Sequence, residues 1–561
     1  MTPERLRIAA AVWALGLAAA STAPGFEDRT PRVHALVGAR VVVKPGEVKE
    51  NATIIVRDGV IVDVGTATVP GDARVWDLAG QTVYAGLIEP YFDPKAGAKP
   101  ASGDGEGEKK DRSAKGDAGV RHPNPRVRAE TRVVEALALD AAELELLRAA
   151  GFTLAHLVPS TGIFRGQSAI VQLRPGAAQQ QIVRADVAHV VAFDRADWGD
   201  QNPAYPSSLM GAVALVRQTF SDAAWAADAT TVYASRRNTL ERPRSNLAWD
   251  ALGSALPEHG HRPVWMLTED VLGSLRCAQL GKELDLALVL VGNGEEYKQA
   301  QAIHDSGYPV IVPVNYPKAP EFSDDEEAFV ELDVLQHWND APANASQLAK
   351  LGVPMAFTTM GVLERKPPAS KLKLDGDDFR ARIRQAVERG LPADAALAGL
   401  TTGPAKLLGV DRDFGSIEKG KVANLTITDG ELFAEKTQIL EVWVDGERYE
   451  VRDAKRDDFD RVRGTWRIVA GPADKPEREW KLDVKGNEWT MRATLQDASG
   501  RVAAVQAMSW ERGELLVRLG ADEVLRLRPS GKKELAGKWR QSGREVDIEG
   551  SKTEPTLGGA R

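Results

Sequence analysis

The chain has 561 residues, more than one ordinary domain holds, so two to four domains with sizeable cores are expected. Apolar content of 43% and charged content of 27% fit a globular protein, and a net charge of -8 without a basic stripe argues against a nucleic-acid partner. A lone cysteine, Cys277, excludes an internal disulfide and a zinc site made of thiolates; it leaves the redox compartment open.

The N-terminus carries Arg5 and Arg7, an apolar run over 8–20, and the small residues Ala18, Ala19 and Ala20. That layout predicts a signal peptide over 1–20, cleaved before Ser21, and an exported protein, periplasmic or secreted. The run is too short for a permanent anchor, and no other segment is long and apolar enough for a membrane span. Residues 37–43, 52–57 and 60–64 read as β-strands, with Asp58-Gly59 as a two-residue hairpin turn. Residues 95–119 hold Gly, Ala, Ser, Lys, Glu and Asp with almost no branched apolar side chain, and read as a disordered insertion.

From 126 to 409 helical and strand patterns alternate. Helices are expected over 130–150, 209–227, 297–306 and 379–389, and strands over 153–158, 187–193, 263–267, 286–291, 310–314 and 354–358. Such alternation predicts a parallel α/β fold, long enough for a (β/α)8 barrel. Hairpins follow at 415–430 and at 439–451, the latter turning at Asp445-Gly446. Residues 464–550 place Trp, Leu and Val at alternate positions in short strands (466–469, 480–484, 503–510, 515–519), which predicts a separate antiparallel barrel or sandwich.

Three stretches together resemble the amidohydrolase superfamily. They are Gly86-Leu87-Ile88-Glu89-Pro90, which matches the start of Gly-Leu-Ile-Asp-x-His-x-His; 401–409, like the family's last barrel helix; and 415–425, like the strand pair that re-enters its small sandwich. More narrowly, 162–169 and 205–211 resemble a branch of exported bacterial amidohydrolase-like proteins. The resemblance implies a metallo-hydrolase barrel over 86–409, a composite β-sandwich from 31–85 and 410–453, and a C-terminal β domain over 461–550 outside the family region.

Family members hydrolyse C–N bonds with one or two metal ions that activate water and polarise the carbonyl. By the resemblance, the His-x-His positions here are Tyr91 and Asp93. The strand-five ligand falls at Leu267 or Thr268, the strand-six ligand at Asn293, and the strand-eight aspartate at Thr359 or Met360. Only Asp93 is a usual ligand, and a catalytic zinc needs three, so no cofactor is expected although zinc is the family's habit.

Other candidates come from placement. Glu269 follows strand five and, with Asp93, would give a carboxylate pair for acid–base work. His156, near a strand end, is structural unless it faces the mouth. Arg165 follows strand two and would clamp a carboxylate or fix a loop by an ion pair. His259 and His261 precede strand five and read as a surface loop at the wrong end of the barrel. His189 reads as core, His304 as exposed helix, His337 as structural and Cys277 as buried.

The candidate catalytic set is therefore Asp93, Glu269 and His156, and the candidate ligand-binding set Arg165, Tyr91, Asn293 and Thr359. Two readings stay open. One is a hydrolase of a small amide or imide with an altered site. The other is a non-catalytic protein that binds a small molecule in the barrel mouth, as a homo-oligomer or beside an intact homologue.

Overall fold

The computed structural model describes residues 32–94, 120–194, 205–319, 331–451 and 462–553, apart from 138, 140, 363, 367–370, 374–375, 473–475, 486–490, 504, 512–513, 521–522 and 532–533. The signal-like segment and the 95–119 insertion lie outside the described residues. The chain divides into two units, residues 1–426 with 443–448, and residues 427–442 with 449–561.

The first unit opens as its β-branched pattern dictates. Strand β1 (Val33–Lys44) pairs antiparallel with β2 (Glu47–Arg57), and β2 with β3 (Val60–Gly65). Asp58 and Gly59 have φ of 48° and 80°, as the expected tight turn requires. Strands β4 (Arg74–Asp77) and β5 (Thr82–Ala85) lie parallel to β1. The hairpin expected at 415–430 does not form. That segment bonds instead to the opening sheet: Ile417 N donates to Val43 O, Gly420 N to Ile61 O, Ile61 N to Lys421 O and Ala423 N to Gly59 O. Distant strand edges supply its partners, so it does not fold on itself.

The barrel region begins with β6 (Leu87–Phe92), parallel to β7 (Phe152–Leu157). Next comes a strand the sequence reading missed. It has two halves, β8 (Phe164–Gln167) and β9 (Ala169–Gln172), broken at Ser168. β9 runs antiparallel to β7, and β8 antiparallel to β11 (His189–Ala192); β10 (Ile182–Arg184) borders β9. β12 (Val264–Leu267), β13 (Leu288–Val291), β14 (Val310–Pro313) and β15 (Met355–Thr358) then follow β11 in an unbroken parallel ladder. Seven of the eight wall positions thus follow the expected parallel pattern, and the third is reversed.

The reversed strand also explains why the helix expected over 130–150 shrinks to Ala141–Ala149 with a single 3-10 turn at Val133–Ala136. Residues 126–132 lie beside β8 as two isolated bridges with a turn between them: Ile163 N and Phe164 N donate to Arg126 O, Arg128 N to Phe164 O, and Gln167 N to Thr131 O. Gly166 permits this approach, since a Cβ there would lie 2.3 Å from Thr131 O and its φ is 124°. Inside the wall, Ile88, Leu154, Val190, Trp265, Val291 and Ile311 form one buried cluster. These fill the interior, so the barrel is a packed core.

In the second unit nine strands form one antiparallel sheet: Gly464–Ala470, Arg478–Lys485, Arg492–Asp497, Val502–Ala503, Ala507–Glu511, Glu514–Arg518, Glu523–Gly531, Glu534–Gln541 and Arg544–Lys552. Each pairs with the next, the ninth pairs back to the first, and among the described residues the fourth and fifth share no ladder. Those two are the sheet's outer strands, yet Ala503 and Ala507 are only four residues apart. Four residues span at most ~14 Å, whereas a flat sheet would hold its edges about 38 Å apart. The sheet must therefore curl on itself as an up-and-down barrel with one open seam.

One continuous face of it is buried, including Trp466, Trp480, Leu482, Leu525, Trp539 and Ile548. Trp466 is fully enclosed and its indole N–H donates to Val462 O at 2.7 Å. Replacing it leaves a cavity that the curled sheet cannot close. Trp466→Ala is expected to cost about 3–5 kcal/mol in chemical denaturation of the full chain. A loss below about 1 kcal/mol would show that this face is loosely packed.

Candidate functional site at the barrel mouth

β6 and β15 share no ladder among the described residues and are joined by side chains. Glu89 lies in the middle of β6 and has no exposed surface. Its Oε1 accepts from Tyr91 N at 2.9 Å and from Thr358 Oγ1 at 2.6 Å, and its Oε2 accepts from Thr359 N at 2.8 Å. Thr358 Oγ1 also lies 3.1 Å from Tyr91 O. Burial pushes the Glu89 carboxyl up to about 7, and the hydrogen bonds from Thr358, Thr359 and Tyr91 limit the rise. The sequence reading did not single out Glu89; an acid inside an otherwise apolar strand was the available signal.

His156 does not face the mouth. It sits inside the wall, with Nδ1 at 2.7 Å from Pro90 O and Nε2 at 2.7 Å from Ser168 Oγ. Its ring meets the edge of Trp265 at 4.4 Å between centroids. Both nitrogens are used and burial pushes its pKa down to about 4, so it is a neutral packing residue with no free atom for catalysis. His189 is likewise buried, bonded to Ser254 Oγ at 3.0 Å, and pushed down to about 4 by burial.

Arg165 stands at the mouth because the reversed strand starts there. Its Nη2 is 3.1 Å from both carboxylate oxygens of Asp194, which follows β11, and its Nη1 is 3.4 Å from the Tyr91 hydroxyl. Burial opposes its charge, but Tyr91, Asp194 and Asp93 outweigh that and raise its pKa. Tyr91 is buried and pushed up to about 12, chiefly by that burial, so its hydroxyl stays protonated. Asp93, half-buried, acts electrostatically on both Tyr91 and Arg165.

Arg126, which the sequence reading passed over, joins this group by donating from Nη1 to Asp194 O at 3.2 Å. Among the described residues the Nε atoms of Arg126 and Arg165 are both buried without a hydrogen-bond partner. Such an atom calls for a water, an ion or a ligand atom beside it.

The other candidates have these surroundings. Glu269 is exposed, and its carbonyl accepts from Asn293 Nδ2 at 2.9 Å. Asn293 belongs to a loop fastened by buried Glu296, whose Oε1 accepts from Asn293 N and Gly294 N while its Oε2 accepts from Asn344 Nδ2. Thr359 is buried against Glu89. Among the described residues no three His, Cys, Asp or Glu side chains are grouped so that they could hold a metal ion. The donors that the resemblance placed at ligand positions are a protonated phenol, one carboxylate, an apolar chain, an amide engaged in its own loop, and a hydroxyl. They do not fit a catalytic zinc.

Parallel strands that alternate with helices, preceded by a small sheet, make an α/β arrangement of the barrel kind. The model of the amidohydrolase family matches residues 342–451. A crystal structure of an amidohydrolase from Thermotoga maritima MSB8 superposes with a TM-score of 0.57 at 20% identity, covering 74% of this chain and 99% of that one. Molinate hydrolase gives 0.42 at 16% identity, covering 75% and 95%. No curated protein matches. The family match is thus confined to the end of the barrel region, and the likeness to the Thermotoga structure is one of fold.

The buried titrating groups give the barrel a pH signature. His156 and His189 have folded pKa values near 4 against 6.5 unfolded, so their contribution is present above 6.5 and is lost as pH falls through 4. Glu89 has a folded value near 7 against 4.5, so its contribution is present below 4.5 and is lost as pH rises through 7. Each shift is worth up to about 3 kcal/mol. Glu89 therefore offsets one histidine between about 4.5 and 6.5. In Glu89→Gln, stability measured by denaturant midpoints should climb more steeply with pH across that window than in the parent chain. Equal slopes would show that Glu89 is ionised throughout.

Proposed function

We propose that this chain is an exported amidohydrolase-superfamily protein whose barrel mouth binds a small, carboxylate-bearing amide or imide without metal-assisted hydrolysis. The observation that carries the reading is the pair of orphan guanidinium Nε atoms on Arg126 and Arg165, beside Asp194 and Tyr91. A guanidinium receives a carboxylate through parallel N–H donors. Asp93 and Asp194 then act as acceptors for an amide N–H. Export is part of the reading because of the basic and apolar start of the chain, and N-terminal sequencing of protein from its native host tests it. An intact homologue or a second copy remains a candidate partner in this reading.

Calorimetry with a panel of N-acyl amino acids and cyclic imides tests the binding. Arg165→Ala and Arg126→Ala should each weaken the best ligand by about tenfold or more, the worth of one charge-assisted hydrogen bond. The ligand should be recovered unchanged. About one tightly held zinc per chain, together with hydrolysis that disappears in Asp93→Ala, would replace this reading with that of a hydrolase with a rebuilt site.

A further inference from the structure

The long helix Leu209–Ser235 buries one side, through Ala212, Val216, Phe220 and Ala223, with Phe220 at 5.5 Å from the ring of Phe164 in β8. Its other side faces solvent and is unusually apolar. Met210 is 83% exposed, Trp225 59% and Val232 50%. Ala214, Arg217, Ser221 and Asp228, all exposed, complete the stripe. At about 3.6 residues per turn the seven positions fall within an arc of about 80°. A row of large exposed apolar side chains on one helix face marks a contact surface.

The stripe is symmetric about Ser221. From there it steps by four, three and four residues in either direction, to Trp225, Asp228 and Val232 one way and to Arg217, Ala214 and Met210 the other. A two-fold axis at Ser221 therefore sets Met210 against the partner's Val232, Ala214 against the partner's Asp228, and Arg217 against the partner's Trp225. Arg217 is prepared for that contact. Glu283 accepts from its Nε and Nη2, each at 2.8 Å, which grips the guanidinium by its edge and leaves its flat faces for an aromatic ring. Beside the stripe's N-terminal half, Met210, Val213 and Arg217 face Arg276 and Leu280 of helix Val271–Glu283 across a groove of about 340 Å³ with mainly apolar walls. The protruding Trp225 and Val232 belong to the C-terminal half. Each copy thus carries both the groove and the side chains that fill it.

We infer that the outer face of helix Leu209–Ser235 is a dimerisation surface, on which a second copy of this chain packs the same helix antiparallel about a two-fold axis at Ser221. Such a contact requires one patch to complement itself, and here cation and ring, groove and knob, lie at matched distances from one point. From 210 to 232 the contact runs about 33 Å, which makes a modest interface and a reversible dimer with micromolar dissociation. The inference does not depend on what the mouth binds.

Analytical ultracentrifugation of the full chain should show a concentration-dependent monomer–dimer equilibrium. Trp225→Glu should weaken it by about tenfold or more, since a charge then replaces a ring at a contact made twice. Trp338→Glu, at an exposed tryptophan on helix Leu332–Asp340, should leave it unchanged. Cys277 is buried, so Ser221→Cys supplies the accessible thiol, and a short bismaleimide should join two chains through it. Ser235→Cys, exposed on the same helix but about 42 Å from its counterpart in such a pair, should stay unjoined. A monomer at every concentration, association undiminished in Trp225→Glu or lost in Trp338→Glu, or equal cross-linking at 221 and 235 would overturn the assignment.

Discussion

A carboxylate with no access to water holds the barrel's first and last strands together. Glu89 reaches from β6 to β15, and its oxygens take two backbone N–H groups and one hydroxyl. Burying such a group is costly unless its lone pairs are filled, and here donors from both strands fill them. The Glu89 carboxylate also fixes the backbone of Tyr91 through its N–H, and the Thr358 hydroxyl lies 3.1 Å from its carbonyl. With its backbone pinned and its ring buried, Tyr91 can offer its hydroxyl only where Arg165 lies. Geometry at the mouth thus follows from a seam one turn of the strand below it.

The interior obeys the same accounting. His156 would be an expensive polar group in an apolar barrel, yet a carbonyl and a serine satisfy both its nitrogens, and Trp265 covers its ring. Ser168 is available because the third wall strand is broken there, with its N–H bonded to Ala188 O. That break lets one segment pair with β7 in its second half and with β11 in its first. Reversal of this strand is also what brings Arg165 to the mouth and Gln167 to the far end, two residues apart in sequence but at different levels of the wall.

Much of the architecture could be read from residue pattern. The apolar runs at β11 to β15 stand within two residues of where periodicity put them, because fully buried parallel strands leave an unambiguous signature. The hairpin at Asp58-Gly59 was equally legible, since few sequences tolerate two left-handed residues. The strand at 164–172 was not, because Arg165, Gly166, Gln167 and Ser168 have none of the usual strand composition and are held by partners far away in the chain. The mouth was half legible. Tyr91, Asp93 and Arg165 were found and do lie together, but their partners Asp194 and Arg126 carry no local motif. Glu269 and Asn293 are joined to each other, by the amide of one and the carbonyl of the other.

What the mouth offers chemically turns on what a guanidinium can do and a metal ion can do besides. A bound divalent metal both attracts an anionic or carbonyl oxygen and lowers the pKa of the water it coordinates. A guanidinium performs the first task and not the second, since it has no open coordination position and keeps its proton in proteins. Asp194 and Asp93 favour the charged form of Arg165 against its burial, so the mouth holds a positive centre. Tyr91, kept protonated by its burial, adds a neutral hydroxyl. On the proposed reading, such a site keeps the attraction for a carboxylate or a polarised carbonyl and loses the means of generating hydroxide. Selection for binding alone would preserve Glu89, Tyr91 and Arg165 as one unit, because the first positions the second and the second meets the third.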